Sequence, residues 1–371
     1  MIDARYPITD VENLLSPSLV IFRAEVRRNL EAMIAMAGDV GRLRPHVKTH
    51  KMPQLVQLAE SMGIRKHKCA TIAEAEMIAA AGGTDVLLAY PTVGPNLGRL
   101  AKLRKAFPET TFRATVDHPV SAWDLSEAMA DFDEPFPTLV DLDTGMGRTG
   151  IAVGEDALSL YRLVNALPNL RPDGLHAYDG HVRDFDLDER KRAAAPGLEA
   201  VHGLRSQILN LGLPVPRLVL GGTPTFPVHA EVQTEGAECS PGTCVLHDGS
   251  YAGKFPDLPF TPAALLLTRV VSQPRPDRLT LDLGHKAVAA DPAGDRLTLL
   301  GLDGATLGGQ SEEHLVVETA DAASFPPGTP FLAIPTHVCP TCALHAWAYV
   351  VEDGKLVDCW DVAARQRVIK V

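Results

Sequence analysis

Short β-rich runs alternate with helical stretches over the first two thirds of the chain, and this alternation restricts the fold more than any other feature. One helical stretch is clear at residues 23–38, where Val26, Leu30 and Met33 repeat at helical spacing and Gly38 supplies a stop signal. Strands that are separated by helices pair in parallel, because antiparallel neighbours need only a short turn between them. The alternation therefore predicts an α/β fold with a parallel sheet.

The number of units decides which parallel fold is favoured. Roughly eight strand–helix units predict a (β/α)8 barrel, and a doubly wound open sheet is the alternative. Nine runs fit the pattern of a strand, so one of them must lie outside a barrel. The nine runs are "SLVIF" (18–22), "RLRPHVK" (42–48), "HKCAT" (67–71), "DVLLAY" (85–90), "FRATVD" (112–117), "TLVDLD" (138–143), "LHAYD" (175–179), "LVLGG" (218–222) and "EGAECS" (235–240).

The sequence pattern changes after about residue 250. Helical periodicity fades, and β-rich runs such as "RLTLDLG", "EHLVVET" and "AWAYVVEDG" are separated by Gly, Pro and Asp. Runs spaced in this way are typical of antiparallel strands. The sequence thus predicts a second, mostly antiparallel β domain after the barrel.

Composition and charge disfavour several classes of partner. The chain has 371 residues, 22% of them charged, and a net charge of −11, whereas nucleic acid binding needs a basic surface. No apolar stretch approaches the length of a membrane span, and no basic region followed by an apolar run stands at the start, so we predict a cytoplasmic protein. Six cysteines in a cytoplasmic chain of this size do not indicate a disulfide framework.

The segment "LRPHVKTHK" (43–51) concentrates basic residues within an apolar stretch. Alternate side chains of an extended chain point the same way, so one face would carry Arg44, His46, Lys48 and His50. If this run is a barrel strand, Lys48 lies at its C-terminal end, where the active sites of such barrels are found. Neighbouring cations disfavour protonation of an amine, and a neutral lysine can form a Schiff base with an aldehyde. The alternative is a group of solvated basic residues at a strand end.

Three further segments place glycines, hydroxyls or an arginine just beyond predicted strands. "DLDTGMGRTG" (141–150) combines glycines that allow a close backbone approach with the planar cation of Arg148, although an exposed turn is the alternative. "LVLGGTPTF" and "CSPGTCVLHDGSY" are candidates for a phosphate cradle, although glycine-rich turns alone are a weak signal. The cradle would be formed by Gly221, Gly222, Thr223, Gly242 and Thr243.

A possible metal pair lies in "PTHVCPTCALH" (335–345). His337 and Cys339 share a face if the chain is extended, and imidazole with thiolate suits zinc. Two protein ligands leave positions for water or substrate, which is the open arrangement of a catalytic metal. Cys342 and His345 are additional candidates, and a buried His and Cys pair without metal is the alternative.

Taken together, these segments resemble one enzyme family. "DTGMGRTG" is similar to a stretch of alanine racemase, whose barrel binds pyridoxal 5'-phosphate, and "RPHVKTHK" with "HVCPT" resembles the D-serine dehydratase and D-threonine aldolase branch. The resemblance implies an alanine racemase N-terminal-like (β/α)8 barrel over residues 15–250. It implies a C-terminal β domain with the metal ligands over residues 251–371, together with residues 1–14. It also implies that "SLVIF" belongs with the β domain and that the protein is a homodimer.

The resemblance assigns a role to each candidate residue. Lys48 would hold pyridoxal 5'-phosphate as an internal aldimine, Arg148 would lie near its phenolic oxygen, and Tyr178 would face its pyridine nitrogen. The glycine and threonine segments match phosphate-binding stretches, and His337 with Cys339 matches a divalent-metal pair, for which zinc is favoured and manganese is the alternative. "AYDGHVRD" departs from both branches around Asp179 and Arg183, which leaves the substrate open.

These roles imply a lyase that acts on D-3-hydroxy amino acids. Lys48 would remove the α-proton and the metal would stabilise loss of the β-hydroxyl, giving a keto acid and ammonia. Removal of the hydroxyl proton, with His50 as a possible helper, would instead give retro-aldol cleavage to glycine and an aldehyde. Cys at position 339 favours the dehydratase over the aldolase. A racemase needs no metal, and a non-catalytic vitamin B6 carrier resembles the barrel alone, so both are less favoured.

Overall fold

The computed structural model describes residues 3–368, 370 and 371. The chain forms two compact units, and each unit is assembled from separate stretches of sequence. The barrel unit contains residues 33–48 and 53–242 with the described residues after 365, and the β unit contains residues up to 32, 49–52 and 243–365.

Seventeen strands are assigned in the described part of the chain. In chain order they are β1 (Ser18–Phe22), β2 (Lys66–Cys69), β3 (Asp85–Leu88), β4 (Thr111–Val116), β5 (Phe136–Asp143), β6 (Ile151–Ala152), β7 (Leu170–Ala177), β8 (Leu218–Leu220), β9 (Ala237–Cys239), β10 (Ala264–Arg275), β11 (Arg278–Leu281), β12 (Leu297–Leu299), β13 (Thr306–Gln310), β14 (Leu315–Glu318), β15 (Pro330–Pro335), β16 (Trp347–Glu352) and β17 (Lys355–Asp361).

Ten α-helices connect these strands in the same described part. They are α1 (Arg23–Ala37), α2 (Pro53–Ser61), α3 (Ile72–Ala80), α4 (Pro95–Ala106), α5 (Pro119–Ala128), α6 (Glu155–Ala166), α7 (Leu187–Asn210), α8 (Phe226–Ala230), α9 (Gly249–Lys254) and α10 (Val338–Leu344). Within residues 3–368, 370 and 371, no helix is long and apolar enough to cross a membrane.

The barrel unit is built on a parallel sheet in the order β2-β3-β4-β5-β7-β8-β9, with β6 beside β5. Segment 43–46 connects the two outer strands, because Leu43 forms a parallel bridge with Cys239 in β9 and His46 forms one with Lys68 in β2. This segment occupies the eighth position of the barrel, and together with the seven ordered strands it closes the barrel. The prediction of a (β/α)8 barrel is confirmed.

The predicted strand at 42–48 is wrong in its extent. Only single bridges are formed at Leu43 and His46, and Val47–Thr49 turns into a 3-10 helix. Pro45 lies between the two bridges and has no N–H to donate, so a continuous ladder cannot form along this segment. The other seven barrel runs are found as strands, with ends shifted by a few residues.

Six alternating charges form a ring of ion pairs inside the barrel unit. Each acid lies between two arginines, and the six N–O distances range from 2.5 to 3.7 Å. We call this set the charge ring, and its members in bonding order are Arg44, Asp85, Arg113, Asp173, Arg217 and Glu238. Buried charges require opposite charges nearby, so the charge ring explains how Arg44 can be completely buried.

The β unit is built on a nine-stranded sheet with the path β13-β14-β11-β10-β1-β16-β17, and β15 pairs with both β10 and β12. All of these pairs are antiparallel except β1 with β16. The mostly antiparallel second domain is thereby confirmed. "SLVIF" is β1, and every one of its residues is buried in this sheet rather than in the barrel, as the family resemblance implied.

Candidate active site

Lys48 lies in the helical turn that directly follows segment 43–46. The turn spans Val47–Thr49, and the Lys48 backbone N–H donates to His46 Nδ1 at 3.3 Å. The Lys48 side chain is half-buried and lines a cavity in the barrel unit, so the alternative of solvated basic residues is wrong for this lysine.

The expected face of four basic side chains does not exist, because the chain turns after His46. Arg44 is fully buried in the charge ring. His50 belongs to the β unit, where its Nδ1 accepts a hydrogen bond from the Met52 backbone N–H at 3.0 Å. An alternating pattern predicts a shared face only where the backbone stays extended.

The cavity beside Lys48 brings together residues from five parts of the barrel unit. Arg148 and Tyr178, both predicted from sequence, line it, and the Arg148 guanidinium lies 5.1 Å from the centre of the Tyr178 ring. The lining residues with polar or sulfur-containing side chains are His46, Lys48, Lys68, Asp141, Met146, Arg148, Thr149, His176 and Tyr178. A lysine, a planar cation and an aromatic ring around one cavity form a site suited to an anionic aromatic aldehyde.

The loop that carries Arg148 is held by Asp143 at the end of β5. Its carboxylate accepts the backbone N–H groups of Gly145 at 2.9 Å and Gly147 at 3.0 Å. These bonds, that of Gly147 first, lower the pKa of Asp143 below its usual value. Both glycines have a positive φ, which other residues adopt with difficulty, so the glycine spacing fixes the loop that presents Arg148.

The loop after β7 that carries Tyr178 is anchored by Asp179. The Asp179 carboxylate accepts bonds from Thr225 Oγ1 and His229 Nε2, each at 2.6 Å. Burial raises the pKa of Asp179, but the bond from His229, followed by that from Thr225, holds the pKa below its usual value. Asp179, where the sequence departs from the family pattern, is thus a structural anchor for the loop. Arg183, the second departure, is exposed, and its side chain donates to the Gly180 carbonyl at 2.7 Å.

The glycine segments after β8 and β9 approach the same region. An added Cβ on Gly222 would lie 2.8 Å from Tyr178 Cε2, and one on Gly221 would overlap the His229 ring. The Gly242 backbone N–H donates to Thr223 Oγ1 at 3.2 Å, so the two segments are joined. Bare backbone beside the cavity fits a phosphate cradle of the kind predicted from sequence.

Thr243 begins the next stretch of the β unit, the stretch that also contains Cys339. Its hydroxyl oxygen lies 3.7 Å from Cys339 Sγ, and Thr49 Oγ1 lies 3.3 Å from the same sulfur. The Cys339 thiol therefore stands among hydroxyl groups rather than in an apolar core, which argues against a purely structural cysteine.

His337 and Cys339 come together, although not in the extended chain that would give them a common face. His337 is the N-cap of α10 and Cys339 lies in its first turn. Hydrogen bonds to Cys339 and Asp291 raise the pKa of His337 to about 9, against the effect of burial. His337 Nδ1 lies 2.6 Å from Asp291 Oδ2, a contact that fixes the orientation of the ring and leaves Nε2 as the nitrogen that could bind a metal.

The additional metal candidates do not join this pair. Cys342 is fully buried, which raises the pKa of its thiol, and His345 Nε2 bonds to the Ala287 carbonyl at 2.8 Å. No group of three or more His, Cys, Asp or Glu side chains suited to a metal occurs within the described residues. His337 and Cys339 therefore fit a metal with open positions and not a closed four-ligand site.

Sequence reasoning missed four residues of these sites. Lys68 is buried in β2, and its Nζ lies 3.5 Å from His176 Nε2, while His176 Nδ1 lies 2.6 Å from Asp141 Oδ1. A signal was present, since all three are polar residues within predicted apolar strand runs of a parallel sheet or next to them. Asp291, the fourth, lies in a loop and carried no comparable signal.

Comparison with protein families identifies both units. The alanine racemase N-terminal domain matches residues 21–248, and the putative serine dehydratase domain matches residues 263–351. The first match covers more than half of the chain and contains every barrel strand.

Individual relatives match along almost the whole chain. A D-threonine aldolase from an Arthrobacter species is 32% identical over 365 residues, which is 94% of this chain and 92% of the relative. A D-threo-3-hydroxyaspartate dehydratase from Delftia sp. (strain HT23) is 27% identical over 383 residues, covering 93% of this chain and 96% of the relative.

A solved structure extends the same agreement to the fold. The crystal structure of D-threonine aldolase from Filomicrobium marinum superimposes with a TM-score of 0.89 at 30% identity, covering 99% of this chain and all of that one. The chain therefore belongs to the D-serine dehydratase and D-threonine aldolase branch of the alanine racemase-like family of fold-type III pyridoxal-phosphate enzymes.

Proposed function

We propose that this protein is a lyase, dependent on pyridoxal phosphate and a divalent metal, that eliminates the hydroxyl group of a D-3-hydroxy amino acid to give a keto acid and ammonia. The observation that carries the proposal is the cavity at which Lys48, Arg148 and Tyr178 meet. The D-threo-3-hydroxyaspartate dehydratase relative and Cys339 support elimination as the reaction.

The barrel unit would hold the cofactor through groups that are already positioned. Lys48 would bind it covalently, Arg148 would compensate the charge of its phenolic oxygen, and Tyr178 would face its ring nitrogen. Within this unit the phosphate would lie against Gly221, Gly222, Thr223 and Gly242. When bound, pyridoxal phosphate withdraws electrons from the α-carbon of an attached amino acid.

Lys48 would also act as the base toward the substrate. Its amine, when neutral, would be the base that removes the α-proton of the substrate. Lys48 lies in a turn that borders the cavity, and its side chain lines the cavity wall. Leu142 and Ala89 add apolar surface to the cavity wall, which helps to exclude water from the amine.

The metal would be held by His337 and Cys339 in the β unit. An imidazole nitrogen and a thiolate favour zinc over manganese, which prefers oxygen ligands. Bound there, the metal would supply Lewis-acid stabilisation for a hydroxyl group. Asp291 would fix the orientation of His337 through the bond to Nδ1.

The alternative reaction is retro-aldol cleavage to glycine and an aldehyde. The relatives named D-threonine aldolase, one at 32% identity and one with a TM-score of 0.89, favour this alternative. It requires a base for the β-hydroxyl proton, and His50 is the candidate, since it is two residues from Lys48 in sequence. We further propose, from the family resemblance, that the protein is a homodimer, which light scattering of the purified chain would test.

A product assay separates the two reactions. Purified protein is incubated with D-serine, D-threonine and D-threo-3-hydroxyaspartate, with and without a chelator. Keto acid and ammonia that disappear with the chelator and return with zinc support the dehydratase. Glycine with an aldehyde would establish the aldolase, and activity that is insensitive to the chelator would remove the metal from the proposal.

The covalent role of Lys48 needs a separate test, because the cavity contains a second lysine. Borohydride reduction of the cofactor-loaded protein, followed by peptide mass spectrometry, should place the label on Lys48 and not on Lys68. Lys48→Ala should lose the label, whereas Lys102→Ala, which changes an exposed lysine of α4, should retain it. A label elsewhere, or none, contradicts the assignment.

Cys339→Asp tests the role of the thiol. If the thiolate favours elimination, the variant should lose keto acid formation relative to aldehyde formation and bind manganese better relative to zinc. Cys359→Asp changes an exposed cysteine of β17 and serves as the control. Elimination that continues in Cys339→Asp with the same metal dependence would refute the role.

A further inference from the structure

The helix α10, which begins at the candidate metal pair, is not capped by its own N-cap residue. His337 occupies the N-cap position, but among the described residues its side chain accepts no bond from an N–H group of the helix, and its Nδ1 lies against Asp291 instead. The first N–H groups of a helix have no acceptor within the helix, and a buried N–H group without a partner is unfavourable. Val338, the first residue of α10, is fully buried, so its N–H group needs an acceptor from another part of the chain.

Asp248 supplies this acceptor from the residue that precedes α9. Its Oδ2 accepts the backbone N–H of Val338 at 3.2 Å. Its Oδ1 accepts the backbone N–H of Tyr251 at 2.9 Å and thereby caps α9. One carboxylate, which is 2% exposed, therefore serves the first turns of two helices in the β unit. Its negative charge also suits the positive end of each helix dipole.

Two further bonds hold the backbone around His337. The Ser250 N–H in α9 donates to the carbonyl of Thr336, the residue before His337, at 3.1 Å. Thr341 Oγ1 donates to the carbonyl of His337 itself at 2.8 Å. The bond from Val338 to Asp248 is the next one along this backbone, and it lies between the two candidate ligands in sequence.

We propose that Asp248 is a positioning residue that sets the geometry of the metal pair. The bond that it accepts from Val338 fixes the backbone segment from which His337 and Cys339 both project. Ligands that are held in place before the metal arrives bind it more tightly, because no free energy is lost in ordering them. Both oxygens of Asp248 are engaged by N–H groups, so it acts through the backbone and not as a third ligand. The inference rests on the metal site proposed above.

Two substitutions at position 248 test this proposal. Asp248→Ala removes both acceptors. Asp248→Asn keeps the size of the side chain but has a single carbonyl oxygen, and because asparagine is a favoured N-cap residue we expect it to keep the bond to Tyr251 and lose the bond to Val338. Asp186→Asn is the matched control, because the Asp186 carboxylate caps α7 in the barrel unit.

The first measurement is the affinity of the full-length protein for Zn²⁺ in competition with a chelator. We expect the dissociation constant to rise about tenfold in Asp248→Asn and between about 10- and 100-fold in Asp248→Ala, as for other residues that hold metal ligands in place. Asp186→Asn should stay within about twofold of wild type. Cobalt in place of zinc adds a spectroscopic measurement, since the absorption band of a cobalt–thiolate bond reports whether Cys339 is bound. The intensity of this band per bound cobalt should fall in both variants at position 248.

Hydrogen–deuterium exchange of the metal-free protein measures the backbone directly. Peptides that cover residues 336–345 should exchange about tenfold faster in both variants at position 248 and at the wild-type rate in Asp186→Asn. Asp248→Asn decides the matter if Asp248→Ala does not fold.

Two results would overturn the proposal. One is exchange at residues 336–345 that is unchanged in the variants at position 248. The other is a lower zinc affinity with an unchanged cobalt–thiolate band, because Asp248 would then act only through its charge. If the wild-type protein binds neither metal, the proposed metal site fails, but the exchange experiment still decides whether Asp248 holds this segment.

Discussion

Asp291 should control the affinity of His337 for a metal. Its Oδ2 lies 2.6 Å from His337 Nδ1, and replacing it with alanine removes the partner that orients the ring. Loss of such a partner typically weakens metal binding about 10- to 100-fold. The side chains of His337 and Asp291 are 41% and 53% exposed. Water can therefore replace part of the bond, and we expect a loss of about tenfold, or about 1.4 kcal/mol.

Calorimetric titration with Zn²⁺ in a competing chelator would measure this change in Asp291→Ala. Asp295→Ala is the matched control, because it removes the same charge from an exposed position in the same loop. The dissociation constant should rise about tenfold in the first variant and stay within about twofold in the second. Equal constants in Asp291→Ala and wild type, or an equal loss in both variants, would refute the reasoning.

Three further predictions concern stability, measured by urea unfolding. Gly174→Ala should lose at least about 2 kcal/mol, because φ is +127° and the Cβ would overlap a backbone carbonyl oxygen, whereas Gly203→Ala on open α7 should not. Glu238→Gln should lose about 3 kcal/mol by leaving the buried Arg44 undercompensated. Burial raises the pKa of Asp248 from 3.8 to about 6, so the protonation of Asp248 contributes to the free energy of unfolding fully below pH 3.8, and this contribution is lost as pH rises through 6. Asp248→Asn should make the free energy of unfolding less dependent on pH between these two values.

Much of the fold could be predicted because it depends on local pattern. Buried parallel strands need continuous apolar runs, and seven of the barrel runs in the sequence are strands in the structure. Segment 43–46 was the exception: its alternating pattern predicts an extended chain through residue 48, but Pro45 has no N–H for a continuous ladder and the chain turns after His46. A single proline and one helical turn were enough to remove the predicted common face, and Arg44 pairs instead with Asp85 and Glu238.

The parts of the site that could not be predicted depend on distant pairs. Lys68 and His176 are 108 residues apart, and Asp291 and His337 are 46 apart. No local spacing relates such residues, since their contact is created by strand order and loop path. The charge ring shows the same limit: Arg44 was expected beside Lys48, but its partners come from β3 and β9.

The position of β1 has a consequence for how this protein can be recombined. β1 pairs with β10 on one side and with β16 on the other, although about 240 residues of sequence separate it from β10. A gene fragment that begins at residue 243 would encode most of the β unit without that strand and would leave two open sheet edges, which promote aggregation. Exchange of this unit between homologous genes therefore requires crossovers on both sides of the barrel, and a single junction would produce a hybrid with a mismatched central strand.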